Sequence, residues 1–328
     1  MRMNGKKLTV LLGTAVLAMG ILAGCGSGAG ETSAAGTAAP ATTAETSAEA
    51  SDASGETKDT EAAKAENAPS ADLSGTISMV GSTSMEKFAN ALSESFMEKH
   101  PGVTVTAEFV GSGAGVEAVS NGTADIGNSS RNLKDEEKAD GVAENIVAID
   151  GIAVVVDAAN TVEDLTKQQL SDIYEGKITN WKQVGGDDRK IVVYSRETSS
   201  GTYEFFKENV LKNKNYMAGS LSMPATGAII QSVSQTKGAI GYVGLAYVSP
   251  RTKTLSVSYD GSHYAAPTVE NATNKTYPIV RPLYYYYNVK NKEQVAPLIN
   301  FILSPEGQEI IKNERLYSSK IKKTVLLL

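Results

Sequence analysis

Thr76-Ile-Ser-Met-Val-Gly-Ser-Thr-Ser-Met-Glu-Lys-Phe-Ala-Asn-Ala-Leu-Ser-Glu-Ser-Phe96 runs an apolar stretch, a Gly/Ser/Thr loop and a helix end to end. Thr76 to Val80 reads as a short buried strand. Met85, Phe88, Leu92 and Phe96 then share one face at helical spacing, and Pro101-Gly102 stops the helix. The unit recurs. Val103 to Phe109 alternates as a strand, Gly111-Ser-Gly-Ala-Gly115 is a loop, and Val116 to Val119 starts a second helix. Further on, Ile191-Val-Val-Tyr194 is a strand, Ser195 to Thr202 a polar loop, and Tyr203-Glu-Phe-Phe206 opens another helix. Strands alternating with helices predict an α/β fold with mainly parallel sheets. Ligands of such sheets bind outside the carboxyl ends of the strands, where these loops fall.

Each loop brings backbone N–H groups and hydroxyls to a helix start, where the partial positive charge suits an anion. Thr83 and Ser84 form the first candidate pair, although Thr83-x-x-Glu86 also fits a capping box that needs no ligand. Ser112 lies in the second loop. That loop fits a plain tight turn as well, and it departs from the dinucleotide fingerprint at Val116. Arg196 with Ser200-Gly201-Thr202 is the third candidate: a guanidinium fork matches two oxygens of a tetrahedral anion. Several charge-assisted hydrogen bonds of roughly 1.5–3 kcal/mol each suffice for a micromolar site, which needs about −8 kcal/mol. Neither a metal nor a cofactor is required.

The rest of the chain limits the possible classes. Arg2, Lys6 and Lys7 precede an apolar run from Leu8 to Leu22 and small residues ending at Cys25, the layout of a signal peptide over residues 1–24. Leu22-Ala-Gly-Cys25 resembles the lipobox of bacterial lipoproteins, in which the cysteine carries lipid. Lipid on Cys25, the sole cysteine, would explain an unpaired thiol in an exported chain and would anchor it to the cell membrane. Residues 25–72 read as a lipidated Cys followed by a disordered Ala/Ser/Thr/Glu tether, too poor in large apolar residues to build a core. The remaining length suits two lobes. A net charge of −6 with no Lys/Arg block argues against nucleic acid. An enzyme is not expected. His100 and His263 both read as surface residues, and no Gly-x-Ser-x-Gly elbow, zinc motif or Cys cluster is present.

Val80-Gly-Ser-Thr-Ser-Met85, Gly111 to Gly115, Asp125-Ile-Gly-Asn-Ser-Ser-Arg131, Ile178-Thr-Asn-Trp181, Arg196 to Thr202, Ala239-Ile-Gly-Tyr242 and Tyr277-Pro-Ile-Val-Arg-Pro-Leu283 all occur in the chain. Together they resemble the phosphate-binding proteins of bacterial high-affinity phosphate ABC transporters, closest to the Gram-positive branch, from Leu73 to about Leu316. The resemblance implies a two-lobed periplasmic-binding-protein-like fold with a hinge. Lobe 1 would be 73–155 and 258–328, and lobe 2 would be 156–257. It implies a monomer that binds inorganic phosphate outside the membrane through Thr83, Ser84, Ser112, Ser130, Arg196, Ser200, Gly201 and Thr202. The ligand would be delivered to the permease and ATPase subunits of an importer. Trp181 and Tyr242 would serve packing. The enterobacterial branch has an aspartate where Ser130 stands, which accepts the proton of hydrogen phosphate and so rejects sulfate. That departure keeps sulfate, molybdate or tungstate open as ligands; a phosphate sensor without a transport role is a separate alternative. Asp125 or Glu197 is a candidate replacement acceptor, and Arg131 a second cation or a loop-fixing ion pair. The apolar end of the tail Lys320 to Leu328 departs from the family, and nothing physical accounts for it.

Overall fold

A computed structural model describes residues 73–138 and 141–318; the expected leader, Cys25, the tether and the tail from Lys320 lie outside these. Strands and helices alternate: β1 (Gly75–Gly81), α1 (Glu86–Lys99), β2 (Val103–Phe109), α2 (Ser112–Asn121), β3 (Ile126–Ser129) and β4 (Val142–Asp157). The chain continues through β5 (Asp164–Thr166), α3 (Lys167–Tyr174), β6 (Val192–Arg196), α4 (Gly201–Asn209), β7 (Leu221–Met223), α5 (Thr226–Gln235), β8 (Ala239–Gly244) and β9 (Thr252–Ser258). It closes with α6 (Val269–Thr273), β10 (Val280–Asn288), α7 (Lys292–Leu303), α8 (Pro305–Asn313) and β11 (Tyr317–Ser318).

The strands order as β2-β1-β3-β10-β4-β8-β6-β7. Two lobes share this sheet because β4 changes partners midway. From Val142 to Gly151 it pairs antiparallel with β10; from Ile152 to Val156 it pairs antiparallel with β8. The strand–loop–helix units supply the parallel pairings, β1 with β2 and β3, and β6 with β7 and β8. The antiparallel partners are the long strands β4 and β10, which carry the chain between lobes and so run against the rest.

Each lobe has its own core. Phe88, Leu92 and Phe96 of α1 bury against Ile77, Met79, Ile126, Leu283 and Leu298. A large apolar side chain contributes about 1.5–3 kcal/mol when fully buried, far more than a residue's helix propensity, so this face rather than propensity holds α1. In the other lobe Ile152, Val154, Leu170, Trp181, Phe206, Tyr242 and Leu255 pack together. The Trp181 indole donates to the Gly238 carbonyl at 2.9 Å.

The helix starts differ from the sequence reading in two places. Helix α2 begins at Ser112, not Val116. The glycines of Gly111-Ser-Gly-Ala-Gly115 serve close approach as well as turning. A Cβ on Gly115 would sit 2.6 Å from the Val80 carbonyl oxygen, so only glycine lets α2 lie this near β1. The Thr83–Glu86 capping box does not form. Helix α1 has Met85 at its N-cap with no side-chain cap, because the Thr83 hydroxyl reaches into the other lobe.

Candidate functional site

Four helix N-termini converge where the lobes meet. Those of α1 and α2 come from the first lobe, those of α4 and α5 from the second. Each follows a strand in parallel register or its loop, so all four point their first-turn N–H groups to one end of the sheet.

Buried hydroxyls line the junction. Thr83 Oγ1 lies 2.9 Å from Thr226 Oγ1 and accepts from the Thr226 amide at 3.2 Å. Ser84 Oγ lies 2.8 Å from Thr202 Oγ1 and 3.3 Å from Thr226 Oγ1. Ser130 accepts from the Ser82 hydroxyl at 2.9 Å, and its own amide donates to Ser112 Oγ at 3.0 Å. Gly201 packs against this pair. A Cβ there would fall 2.4 Å from Ser112 Oγ and 2.9 Å from Ser112 Cβ. Ser200 is the N-cap of α4, and its hydroxyl accepts from the Tyr203 amide at 3.4 Å.

Two arginines enter the cluster. Arg196 donates from Nε to the Met223 carbonyl at 3.1 Å, from Nη1 to Thr226 Oγ1 at 2.9 Å and from Nη2 to the Pro224 carbonyl at 3.0 Å. Its side chain is 97% removed from solvent, since 3% remains exposed, yet none of its hydrogen bonds goes to a carboxylate. Burial pushes its pKa down to about 10. Arg281 donates from Nη1 to Thr202 Oγ1 at 2.9 Å and to the Ser130 carbonyl at 3.1 Å. Its Nη2 pairs with Asp150 Oδ2 at 2.9 Å. Burial raises the Asp150 carboxyl and lowers the Arg281 guanidinium, each charge supporting the other. The pair is neutral, which leaves Arg196 as the unbalanced charge of the cluster.

Thr83, Ser84, Ser112, Ser130, Arg196, Gly201 and Thr202 therefore lie together, with Ser200 one residue away as a cap. Thr226 and Arg281 join them without having been singled out from the sequence. The only hint was the strand motif around Arg281, where a cation among apolar residues needs a partner.

Three expectations about neighbouring groups change or resolve. Asp125 is not a ligand acceptor: its Oδ2 accepts from both the amide and the hydroxyl of Ser78, each at 2.8 Å, which fixes it to β1. Glu197 is solvent-exposed. Arg131 is held by carboxylates, donating to Glu137 at 2.6 and 2.7 Å and pairing through Nε with Glu204. Trp181 packs in the core as expected. Tyr242 packs too, but its hydroxyl also accepts from the Arg196 amide at 3.3 Å. Among the described residues no group of His, Cys, Asp and Glu is arranged to hold a metal ion. The donor set of hydroxyls, amides and guanidinium suits an anion.

Two α/β lobes on shared crossover strands, meeting at a cluster of hydroxyls, helix N-termini and a buried cation that no carboxylate among the described residues balances, define a two-lobed solute-binding protein. The profile of the PBP superfamily domain matches residues 66–306. Phosphate-binding protein PstS of Staphylococcus epidermidis is 32% identical over 252 residues, covering 72% of this chain and 77% of that protein. A Clostridium perfringens chain solved with bound phosphate, and assigned to phosphate ABC transport, has 40% identity and a TM-score of 0.72. That match covers 75% of this chain and all of that one. An ABC-type phosphate transport receptor from Vibrio cholerae gives 32% identity and a TM-score of 0.63, over 74% of this chain and 99% of the other. The chain belongs to the phosphate-binding proteins of bacterial phosphate ABC transporters.

Proposed function

We propose that this protein captures inorganic phosphate outside the cytoplasmic membrane and delivers it to an ABC importer by closing its two lobes on the ligand. The observation that carries the reading is Arg196: a buried guanidinium with no ion-pair partner among the described residues, set among hydroxyls and four helix N-termini. A buried unpaired charge is unfavourable, and an oxyanion between the lobes relieves it.

Thr83, Ser84, Ser112 and Ser130 would hold the anion from the first lobe. Arg196, Ser200, Gly201 and Thr202 would hold it from the second, Ser200 chiefly by capping α4. We add Thr226 as a hydroxyl ligand and Arg281 as the residue that orients Thr202 and Ser130. A ligand contacting both lobes favours the closed arrangement because only there are all contacts made. Flexing would centre on the points where the chain passes between lobes, near Gly151 in β4 and before Val280 in β10.

The cycle involves no covalent chemistry, so the protein acts as a binding protein and not an enzyme. Lipid on Cys25 and the tether that follows would keep a monomer near its permease and ATPase partners. Loss of membrane retention in Cys25→Ala cells would test that anchor.

Calorimetric titration of ligand-stripped protein tests the function. Phosphate binding at micromolar or tighter affinity is expected. Sulfate is titrated separately, because the neutral Ser130 hydroxyl can donate as well as accept. The absence of a phosphate response would overturn the reading.

A further inference from the structure

We infer that Glu204 is a closure latch, a positioning residue that binds the lobes together beside the ligand cluster without touching the ligand. It lies in the first turn of α4, on the second lobe. Its partners lie on the first. Arg131, immediately after Ser130, pairs through Nε with Glu204, and Lys134 Nζ approaches Glu204 Oε1 at 2.7 Å.

The first-lobe side of this contact is built in advance. The Arg131 guanidinium is a two-pronged donor to Glu137, at 2.6 and 2.7 Å, and also donates to the Asn132 carbonyl at 2.7 Å. The Arg131 carbonyl accepts from Ser129 Oγ at 2.9 Å and from the Tyr286 hydroxyl at 3.0 Å. Burial works against the Arg131 charge, but the hydrogen bonds and charges of Glu137 and Glu204 outweigh it and raise its pKa. Arg131 is 6% exposed and Glu204 17%, so both are largely desolvated where they meet.

The charges explain the coupling. Arg131 and Lys134 carry two positive charges and Glu137 one negative, so the first-lobe side of this ion-pair cluster holds one excess cation, while Glu136 and the Asp135–Lys138 pair bring the whole segment 131–138 to neutrality. Glu204 pairs with that cation only when the lobes are together. Separation therefore breaks two ion pairs in addition to the ligand's own contacts. The latch acts on the lifetime of the closed complex, whereas Arg196 acts on affinity through the anion itself.

The test compares wild-type and Glu204→Gln protein, both as the full chain, in stopped-flow phosphate binding and release. The inference rests on the phosphate reading only for this readout. Glutamine keeps the shape of the side chain but removes its charge. The expected result is release about tenfold faster in the variant with association unchanged within about twofold. The thermal midpoint should fall less in ligand-free protein than in phosphate-bound protein. Adding Lys134→Met to Glu204→Gln should accelerate release by less than the product of the single effects, since both remove the Lys134–Glu204 pair. At about 1 M salt, where the screening length falls to about 3 Å, the wild-type and variant rates should approach each other. Unchanged release in Glu204→Gln refutes the latch. If wild-type protein itself shows no phosphate binding, the ligand assignment fails separately. Hydrogen exchange without ligand then decides the latch: equal protection of residues 131–138 in wild type and variant refutes it, and faster exchange in the variant supports it.

Discussion

Replacing Arg196 with Met separates the charge of this site from its shape. Methionine fills the aliphatic path of the side chain but cannot donate the three hydrogen bonds to Met223, Pro224 and Thr226. Two effects oppose each other in the ligand-free protein. The Pro224 carbonyl is left without its donor, at about 1–3 kcal/mol, while a buried charge is removed. Overall stability should therefore change little. Binding has no such compensation. A unit charge about 4 Å from the guanidinium interacts with it by about 4 kcal/mol at an effective dielectric of about 20, and a dianion by more. At about 1.4 kcal/mol per tenfold, phosphate affinity should fall at least about a thousandfold. Calorimetric titration reads the affinity, and a thermal melt of the same sample shows that the fold persists. A folded Arg196→Met protein that binds phosphate within tenfold of wild type would refute the role given to this cation. The same residue sets a pH dependence. Its pKa in the ligand-free protein is pushed down to about 10 by burial, and an adjacent anion raises it. Affinity should therefore be independent of Arg196 titration below that pH. It should fall as pH rises through 10, approaching about tenfold per unit.

Other substitutions probe the remaining parts. Gly201→Ala would place a methyl 2.4 Å from Ser112 Oγ, so the lobes must part to accept it; phosphate affinity should drop at least about a hundredfold while the melting temperature holds. Ser130→Asp adds a carboxylate beside two serine hydroxyls. Competition titrations should show sulfate, which has no proton to give, losing far more affinity than phosphate. Trp181→Phe removes the hydrogen bond to the Gly238 carbonyl, distant in sequence from any ligand loop. Because the Gly238 carbonyl still accepts from the Val192 amide at 3.0 Å, the substitution should lower stability to denaturant by about 0.5–1.5 kcal/mol and leave phosphate binding unchanged.

The strand–loop–helix units were legible because each is local: an apolar run, small residues and a helical face within some twenty positions. They led directly to Thr83, Ser84, Ser112 and the Arg196–Thr202 segment. What escaped depends on distant partners. Thr226 follows β7, which spans only Leu221–Met223 and shows no periodicity, and no glycine-rich loop marks its helix. Arg281 lies in an apolar strand, and its counter-charge Asp150 is 131 positions away. Asp150 itself is buried inside one continuous strand, held by Arg281 and by the Leu245 amide at 3.1 Å. The start of α2 was misplaced because glycines that allow close packing have the same sequence as glycines that make a turn.

The position of β10 governs how the protein can fold. It lies between β3 and β4, so the first lobe's sheet is incomplete until this late segment inserts. Residues 152–258 can pair among themselves early, since the second half of β4 and all of β8, β6 and β9 lie within that span. The first lobe must wait, with the β3 edge unsealed, for a strand some 200 positions after β1. Such long-range closure slows folding. Refolding from denaturant should show the second lobe gaining protection first, and any chaperone that recognises this chain in transit will meet an unfinished amino-terminal sheet.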